Sequence, residues 1–400
     1  MSAVAPLYKW TTRPLDELFE IVGGGTPSKK EPKYWGGDIP WASIRDMHSA
    51  ELSSTEFAIT ESGLQNSSTR IIPAGEVIMA SRVGLGKACV LMQDTAINQD
   101  IRALIPRRPD RIERRFCLYW LQSIADVIAD AGSGATVKGV KLPFIKSLSF
   151  PDIELEEQKR IVAVLDQAFA ALDRACAHAE ANLANSQALY KAILEEIFAE
   201  RAKWPREDLS KRVRFLDYRG KTPPKSDRGV PLITAKNVRM GFIKTEPAEF
   251  VEEGAYEEWM KRGFPEEGDV LFTTEAPLAN VAQLTIDGKV VIGQRLITMQ
   301  TDHSEIDPCF LKWSLLSPQM QNDIHSQATG ATVLGIKAKL LKKITLHVPA
   351  SLEKQREIGF SCETAFAKKN ELEQQYMRKL ESLLALRQKI LHGAFAGELT

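Results

Sequence analysis

Four hundred residues, 44% of them hydrophobic, can bury sizeable cores, so the composition excludes a disordered chain. Lysine plus arginine and aspartate plus glutamate each number 52, and this zero formal charge argues against a chain that grips nucleic acid unaided. The five cysteines, Cys89, Cys117, Cys176, Cys309 and Cys362, lack metal-ligand spacing and the six histidines form no cluster with them, so free thiols and no structural metal are expected.

The opening stretch MSAVAPLYKWTTRPLDELFE has no basic segment followed by an apolar one. No run approaches the roughly 20 apolar residues that cross a bilayer, and a cytoplasmic location is expected. Gly23-Gly24-Gly25-Thr26-Pro27 reads as a loop. The segments Gly75 to Ser81 and Ala88 to Met92 read as short strands, and Asp94 and Asp100 as turn and surface residues. Arg111 to Ala131 and Asp307 to Ala328 read as helices, each preceding a GATV motif, the first of which is GATVKGVK from Gly134 to Lys141. From Leu155 to Glu200 small or apolar residues alternate by four and three: Ile161, Leu165, Ala168, Leu172, Ala175, Ala179, Asn182, Ser186, Leu189 and Ile193. This is a heptad seam on an alanine-rich helix on the order of 70 Å long, too long for the core of a compact domain.

The chain then repeats itself. GATVLGIK at Gly330 to Lys337 lies 196 residues after the first copy, and Leu352 to Ile358 matches Leu155 to Ile161. Ile390-Leu391 and Phe395-Ala396 match Ile193-Leu194 and Phe198-Ala199. Weaker echoes pair Trp10 with Trp204, Thr26-Pro27 with Thr222-Pro223, Trp41-Ala42-Ser43 with Leu232-Ile233-Thr234, and Gly75 to Ile78 with Gly268 to Leu271. The second helix keeps a seam at Ile358, Cys362, Ala365, Leu372, Tyr376, Leu383, Leu386 and Ile390, interrupted by Lys369 and Lys379. So long a period means two domain-sized copies. The organisation is globular over 1–153, helical over 154–203, globular over 204–350 and helical over 351–400. The expected fold class is α+β: two duplicated mixed domains joined by two long helices in an antiparallel coiled coil, with a pseudo-twofold arrangement.

Local charge departs from the neutral total. Gly220 to Arg239 holds Lys221, Lys225, Arg228, Lys236 and Arg239 against Asp227 alone, while Gly335 to Lys343 carries Lys337, Lys339, Lys342 and Lys343. The first copy offers Lys138, Lys141 and Lys146. A solvated face is the ordinary reading of such runs, and their recurrence at equivalent places narrows its margin over a shared role. GATVKGVK is not a phosphate-binding loop of the nucleotide type, because valine or isoleucine follows the second glycine where lysine is needed. It reads instead as a glycine turn admitting a strand before the long helix, with threonine and lysine able to let backbone approach a phosphate. No nucleophile elbow, dinucleotide fingerprint or HExxH occurs. Thr222-Pro223-Pro224-Lys225 lacks both the acid or amide and the aromatic residue of the amino-methyltransferase motif, which argues against methyl transfer by this chain alone.

Over essentially its full length the sequence resembles the specificity subunit of type I restriction-modification systems. The resemblance rests on the duplicated variable domains, the Gly-Ala-Thr-Val element closing each, and the Leu-Glu-x-Gln-(Lys/Arg) start of each long helix at Leu155 to Lys159 and Leu352 to Arg356. The ending Ile390 to Leu399 also carries it. It implies a non-catalytic reader of double-stranded DNA. Each globular domain would be a target recognition domain for one half of a split sequence. The helices would space the two and dock two modification subunits, which bring S-adenosylmethionine and adenine methylation, and restriction and motor subunits would join that core. Candidate DNA contacts are Arg45, Arg82, Lys138, Lys141, Lys221, Lys225, Lys236, Arg239, Lys337 and Lys339. A two-headed coiled-coil protein scaffold without DNA specificity is the competing reading, and a methyltransferase with disguised motifs is a third.

Overall fold

The alternation of β-branched residues with glycine and proline turns produces short strands, and the two halves arrange them on one plan. The computed structural model describes residues 10–134, 137–218, 223–330 and 332–398. Two compact units emerge, Met1–His178 with Lys379–Thr400, and Ala179–Arg378, so each unit takes part of both long helices.

In the first unit the main sheet runs in the order Phe19–Gly23, Ile101–Pro106, Val77–Ala80, Ala88–Leu91, Glu51–Leu52. Its counterpart in the second unit is Val213–Asp217, Leu296–Thr301, Val270–Thr273, Val281–Gln283. A second sheet contains a parallel pair in both units: Trp41 and Ala42 lie opposite Ala96 and Ile97, and Leu232 and Ile233 opposite Val291 and Ile292. The faint Trp41/Leu232 echo is thus a structural equivalence. A two-stranded ribbon completes each plan, Thr12–Pro14 with Ser149–Pro151 and Arg206–Asp208 with Thr345–His347.

The single helices expected before each GATV element are each two helices, Arg114–Ser123 and Ala125–Asp130, then Pro308–Leu316 and Pro318–Ser326. In the second unit the break has a local cause, since Pro318 holds Ser317 extended at φ −60° and ψ 144°.

The long helices span Leu155–Ile197 and Leu352–Ala396. Half of the expected first seam is right, with Leu165, Leu172, Ala179 and Ser186 buried. The other half lies one residue later: Phe169 is buried, and Cys176, Leu183 and Tyr190 are half-buried, whereas Asn182 and Leu189 are exposed. The bulkier side chains claim the interior, and the small alanines one position earlier do not. In the second helix Leu386 is exposed and Arg387 takes the inward position, stacked 4.3 Å from the Phe169 ring centroid and paired with Asp173 at 2.5 Å. Lys369 does not simply interrupt the seam: it pairs with Glu373 at 2.8 Å, and Gln187 of the first helix donates to the same carboxylate at 3.1 Å. Lys379 is exposed. Within the second unit Gln187 faces Glu373 while Tyr190 faces Phe366, so the helices run antiparallel there.

Each core is closed by a side chain at the end of a long helix. Leu391 and Phe395 enter the first unit's core, where Phe395 packs 5.1 Å from Phe116, while Leu194 and Phe198 enter that of the second. The glutamine of each Leu-Glu-x-Gln motif is 1% exposed. Gln158 accepts from the Glu113 amide and donates to the Arg111 and Ile153 carbonyls. Gln355 repeats this with the Asp307 amide and the Glu305 and Pro349 carbonyls. These bonds tie the start of the helix to the loop before the preceding helical pair.

Two outcomes follow. Phe395→Ala should cost roughly 3–5 kcal/mol by opening a core cavity. Segment-resolved hydrogen exchange should show the loss of protection within 10–178, and Phe198→Ala should instead loosen 204–350. The thiols give the second. Burial pushes Cys89, Cys309 and Cys362 up to about 12 and raises Cys117 as well. A pKa near 12 leaves a thiolate fraction on the order of 10⁻⁴ at pH 8. A thiol reagent at pH 8 should therefore modify the half-exposed Cys176 first, the half-buried Cys309 far more slowly, and the buried Cys89, Cys117 and Cys362 only on unfolding.

Candidate nucleic-acid interface

Where the two sheets of a unit meet, backbone hydrogen bonds join four turns in series. In the first unit Asn98 N donates to Ala42 O at 3.0 Å, Ser81 N to Asp100 O at 2.8 Å, and Val140 N to Ser81 O at 2.9 Å. In the second, Gly293 N donates to Ile233 O at 2.8 Å, Thr274 N to Arg295 O at 2.9 Å, and Ile336 N to Thr274 O at 2.9 Å. The relay uses main-chain groups, apart from hydroxyl reinforcement by Ser81 and Thr274 to the same carbonyls, so the neighbouring side chains are free to differ.

The first turn presents Arg45 and Lys236 at equivalent positions. Asp46 accepts from Ser43 N at 2.7 Å and Ser43 Oγ at 2.9 Å, and Ser43 Oγ accepts from Arg45 N at 3.2 Å. Asn237 plays the part of Asp46 with Thr234 at 3.0 and 2.9 Å, and Thr234 Oγ1 accepts from Lys236 N at 3.3 Å. Arg45 and Lys236 both face solvent.

Paired backbone bonds close a hairpin base around each GATV element. Ser133 and Gly139 exchange two backbone bonds of 3.0 Å, and Thr329 and Gly335 exchange bonds of 2.9 and 3.0 Å. Gly134 and Gly330 sit at φ 138° and 130°, where an added Cβ would stand 2.2 and 2.0 Å from the Val137 and Val333 carbonyl oxygens. Glycine is required at both for this reason. The hairpin does not lead directly to the long helix, as a short helix and a ribbon strand intervene on each side. Ala135, Thr136 and Ala331 lie outside the described residues.

Lys141 and Lys337 are equivalent, exposed, and open the short helices Leu142–Lys146 and Ala338–Leu341. Lys138 is exposed on the first hairpin, where the second has Leu334. Lys339 is exposed on the second short helix, at a place held by Pro143 in the first unit. Lys225 and Lys236 converge on Glu249, at 2.7 and 4.0 Å, so an acid outside the basic run offsets part of its charge. Arg239 is half-buried and donates to the Val238 carbonyl at 3.3 Å, which leaves it the least available of these cations. Lys221 lies outside the described residues.

Arg82 ends the central strand's run and pairs with Asp100 at 3.4 Å. Its equivalent is Glu275, since both bridge the hairpin glycine, at Gly139 and Gly335. Glu275 in turn pairs with Arg295, the equivalent of Asp100, at 3.0 Å. Reading Asp100 as an ordinary turn residue missed this pair, and Arg295 was missed with it. The signal lay in comparing both partners at once, since Asp100 against Arg295 alone looks like drift.

A family model of the type I restriction modification DNA specificity domain matches residues 8–176. The chain is 31% identical over 159 residues to the type I restriction enzyme MjaIX specificity subunit of Methanocaldococcus jannaschii, and 32% identical over 166 residues to the EcoR124I/EcoR124II specificity subunit of Escherichia coli. These matches cover 39% and 40% of this chain, and 37% and 40% of those relatives. With the EcoBI specificity subunit of Escherichia coli the identity is 23% across 98% of this chain and 86% of the relative. A solved chain from work on complex assembly and conformational transition of the type I R-M system has the same fold, with a TM-score of 0.76 at 18% identity over 97% of this chain and 98% of that one. The HsdS subunit of Thermoanaerobacter tengcongensis matches with a TM-score of 0.56 at 18% identity, covering 97% of each chain. The scaffold and disguised-enzyme readings find no support among these relatives. Residues 8–176 thus match the type I restriction modification DNA specificity domain, and across nearly its full length the chain is similar in sequence and fold to type I restriction enzyme specificity subunits.

Proposed function

We propose that this chain is the DNA sequence-recognition subunit of a type I restriction-modification complex, each unit reading one half of a bipartite target. The observation that carries the reading is the relay of four turns, built twice on the same backbone bonds and dressed with different cationic and amide side chains. Different side chains on a constant frame are what two unlike half-sites require, because base edges are distinguished by donor and acceptor placement.

The chain itself contributes no reaction step in this reading. Adenine methylation belongs to two modification subunits that bind S-adenosylmethionine, docked on the long helices, with restriction and motor subunits joining them. The complex works in the cytoplasm, in keeping with the absence, among the described residues, of a helix long and apolar enough to cross a membrane. Arg45, Lys236, Lys141 and Lys337 are the candidates that recur by equivalence and face solvent. Lysine at such places positions the duplex through phosphate, and arginine can also read guanine.

The deciding experiment is co-expression with the genomically adjacent modification subunit and mapping of methylated adenines on plasmid DNA. A split motif with two unlike halves, lost when this chain is omitted, is the expected outcome, and co-purification without any such motif would sink the reading. A second expectation concerns salt. A neutral chain neutralises few phosphates, so the isolated protein should bind DNA weakly with a shallow dependence of log K on log[salt], steepening in the complex by about 0.9 per added phosphate contact. Equal slopes would mean that the modification subunits add no phosphate contacts.

A further inference from the structure

We infer that the inverted ion pair, Arg82 with Asp100 in one unit and Arg295 with Glu275 in the other, is a specificity-determining element in which a carboxylate aims an arginine at a guanine edge. The inference rests on the DNA-reading function proposed above and names the residues that read.

The pairs occupy the same structural site. The residues holding them are joined by equivalent backbone bonds, Ser81 to Asp100 and Thr274 to Arg295, and each strand-end partner bridges the hairpin glycine. The residues after that partner, Val83 and Ala276, share an unusual backbone with φ of 49° and 47°. The bonding frame and this turn are therefore kept, although Arg295 itself sits at φ 71°, while the charges have changed places.

Stability does not account for this arrangement. The arginine side chains are 52% and 50% exposed, although Asp100 is only 17% exposed, and a pair whose guanidinium is this open to solvent contributes between nothing and about 1 kcal/mol. What a carboxylate does at such a place is hold a flexible guanidinium in one orientation. The rigid fork of arginine then matches O6 and N7 of guanine as a bidentate donor, which the point charge of lysine cannot do.

The surroundings favour a ligand with base edges. In the second unit Glu275 and Arg295 line a cleft of about 410 Å³ together with Thr274, Gln294, Thr329 and Lys337. Gln294 matches Gln99 of the first unit, and both are exposed. A guanidinium, an amide and an ammonium thus converge on one concavity, a mixture suited to two adjacent bases and a phosphate. Exchange of the charges moves the guanidinium from the strand end in the first unit to the opposing turn in the second. The same chemistry is then presented from a different position, one way for two equal frames to read unlike half-sites.

The test uses the full chain with its modification subunits and maps methylated adenines for the wild type, Arg82→Lys and Arg295→Lys. A wild type without a split motif would overturn the function itself, before any question of these residues arises. Given a wild-type motif, Arg82→Lys should relax one G·C position in one half-site and Arg295→Lys one in the other, with discrimination there falling by roughly 5- to 150-fold, the range expected for one bidentate contact. Lysine keeps the charge, so a purely electrostatic or structural role would leave the motif unchanged. An unchanged motif in both variants overturns the inference, as does a uniform loss of methylation on all sequences by assembled complexes. Should a lysine variant fail to assemble, the double variant Glu275→Arg/Arg295→Glu keeps the ion pair and is judged by the same change in one half-site.

Discussion

A buried glutamine at the start of each long helix governs how this chain is put together. Gln158 and Gln355, themselves buried, each bond three main-chain groups that are part-buried or buried, and a buried group left unpaired costs about 1–3 kcal/mol. They fasten the helix start to its own unit, and the helix ends then supply the last core residues: Phe198 for the second unit, Phe395 for the first. The first unit consequently consists of segments from both ends of the chain. Its core stays open until residues near 395 have been made, and closing so long a loop carries an entropic cost that grows only slowly with length.

The same division between fixed frame and variable surface recurs at the candidate interface. Main-chain bonds from the Ala42 and Ile233 carbonyls through to Val140 and Ile336 hold four turns in register. Since the main chain carries most of the relay, Arg45 can become Lys236, Lys138 can become Leu334, and an ion pair can invert without disturbing the sheets. Neutral total charge fits a surface whose cations are partly offset by local acids, as Glu249 offsets Lys225 and Lys236.

Polar residues within the helix seam follow a related logic. Lys369, Glu373 and Gln187 form a hydrogen-bonded layer in the second unit, and Arg387 with Asp173 a pair in the first. Polar groups along a seam, inward at Lys369 and Glu373 and at its exposed edge at Gln187 and Asp173, are a known device for fixing helix register. Shifted by one residue, these groups would lose their partners, which apolar contacts alone would penalise less.

Duplication, the extent of both long helices and the strands at Val77–Ala80 and Ala88–Leu91 were legible in the residues themselves, because a close repeat, a heptad pattern and β-branched runs between turns are local signals. Half of the seam was legible as well. The other half was not, because Ala168 and Phe169 both fit an apolar pattern and only packing decides that the larger ring goes inside. The glutamine clamp was visible as a motif but not as a mechanism, since its partners lie some 45 to 50 residues away in sequence, apart from Ile153 and Pro349. The inverted ion pair depends on strands brought together by the sheet, so neither Asp100 nor Arg295 announces its role alone. The sequence by itself determined what repeats and which segments are helical. Only the tertiary structure decided which side chains meet, because those meetings are set by contacts between residues far apart along the chain.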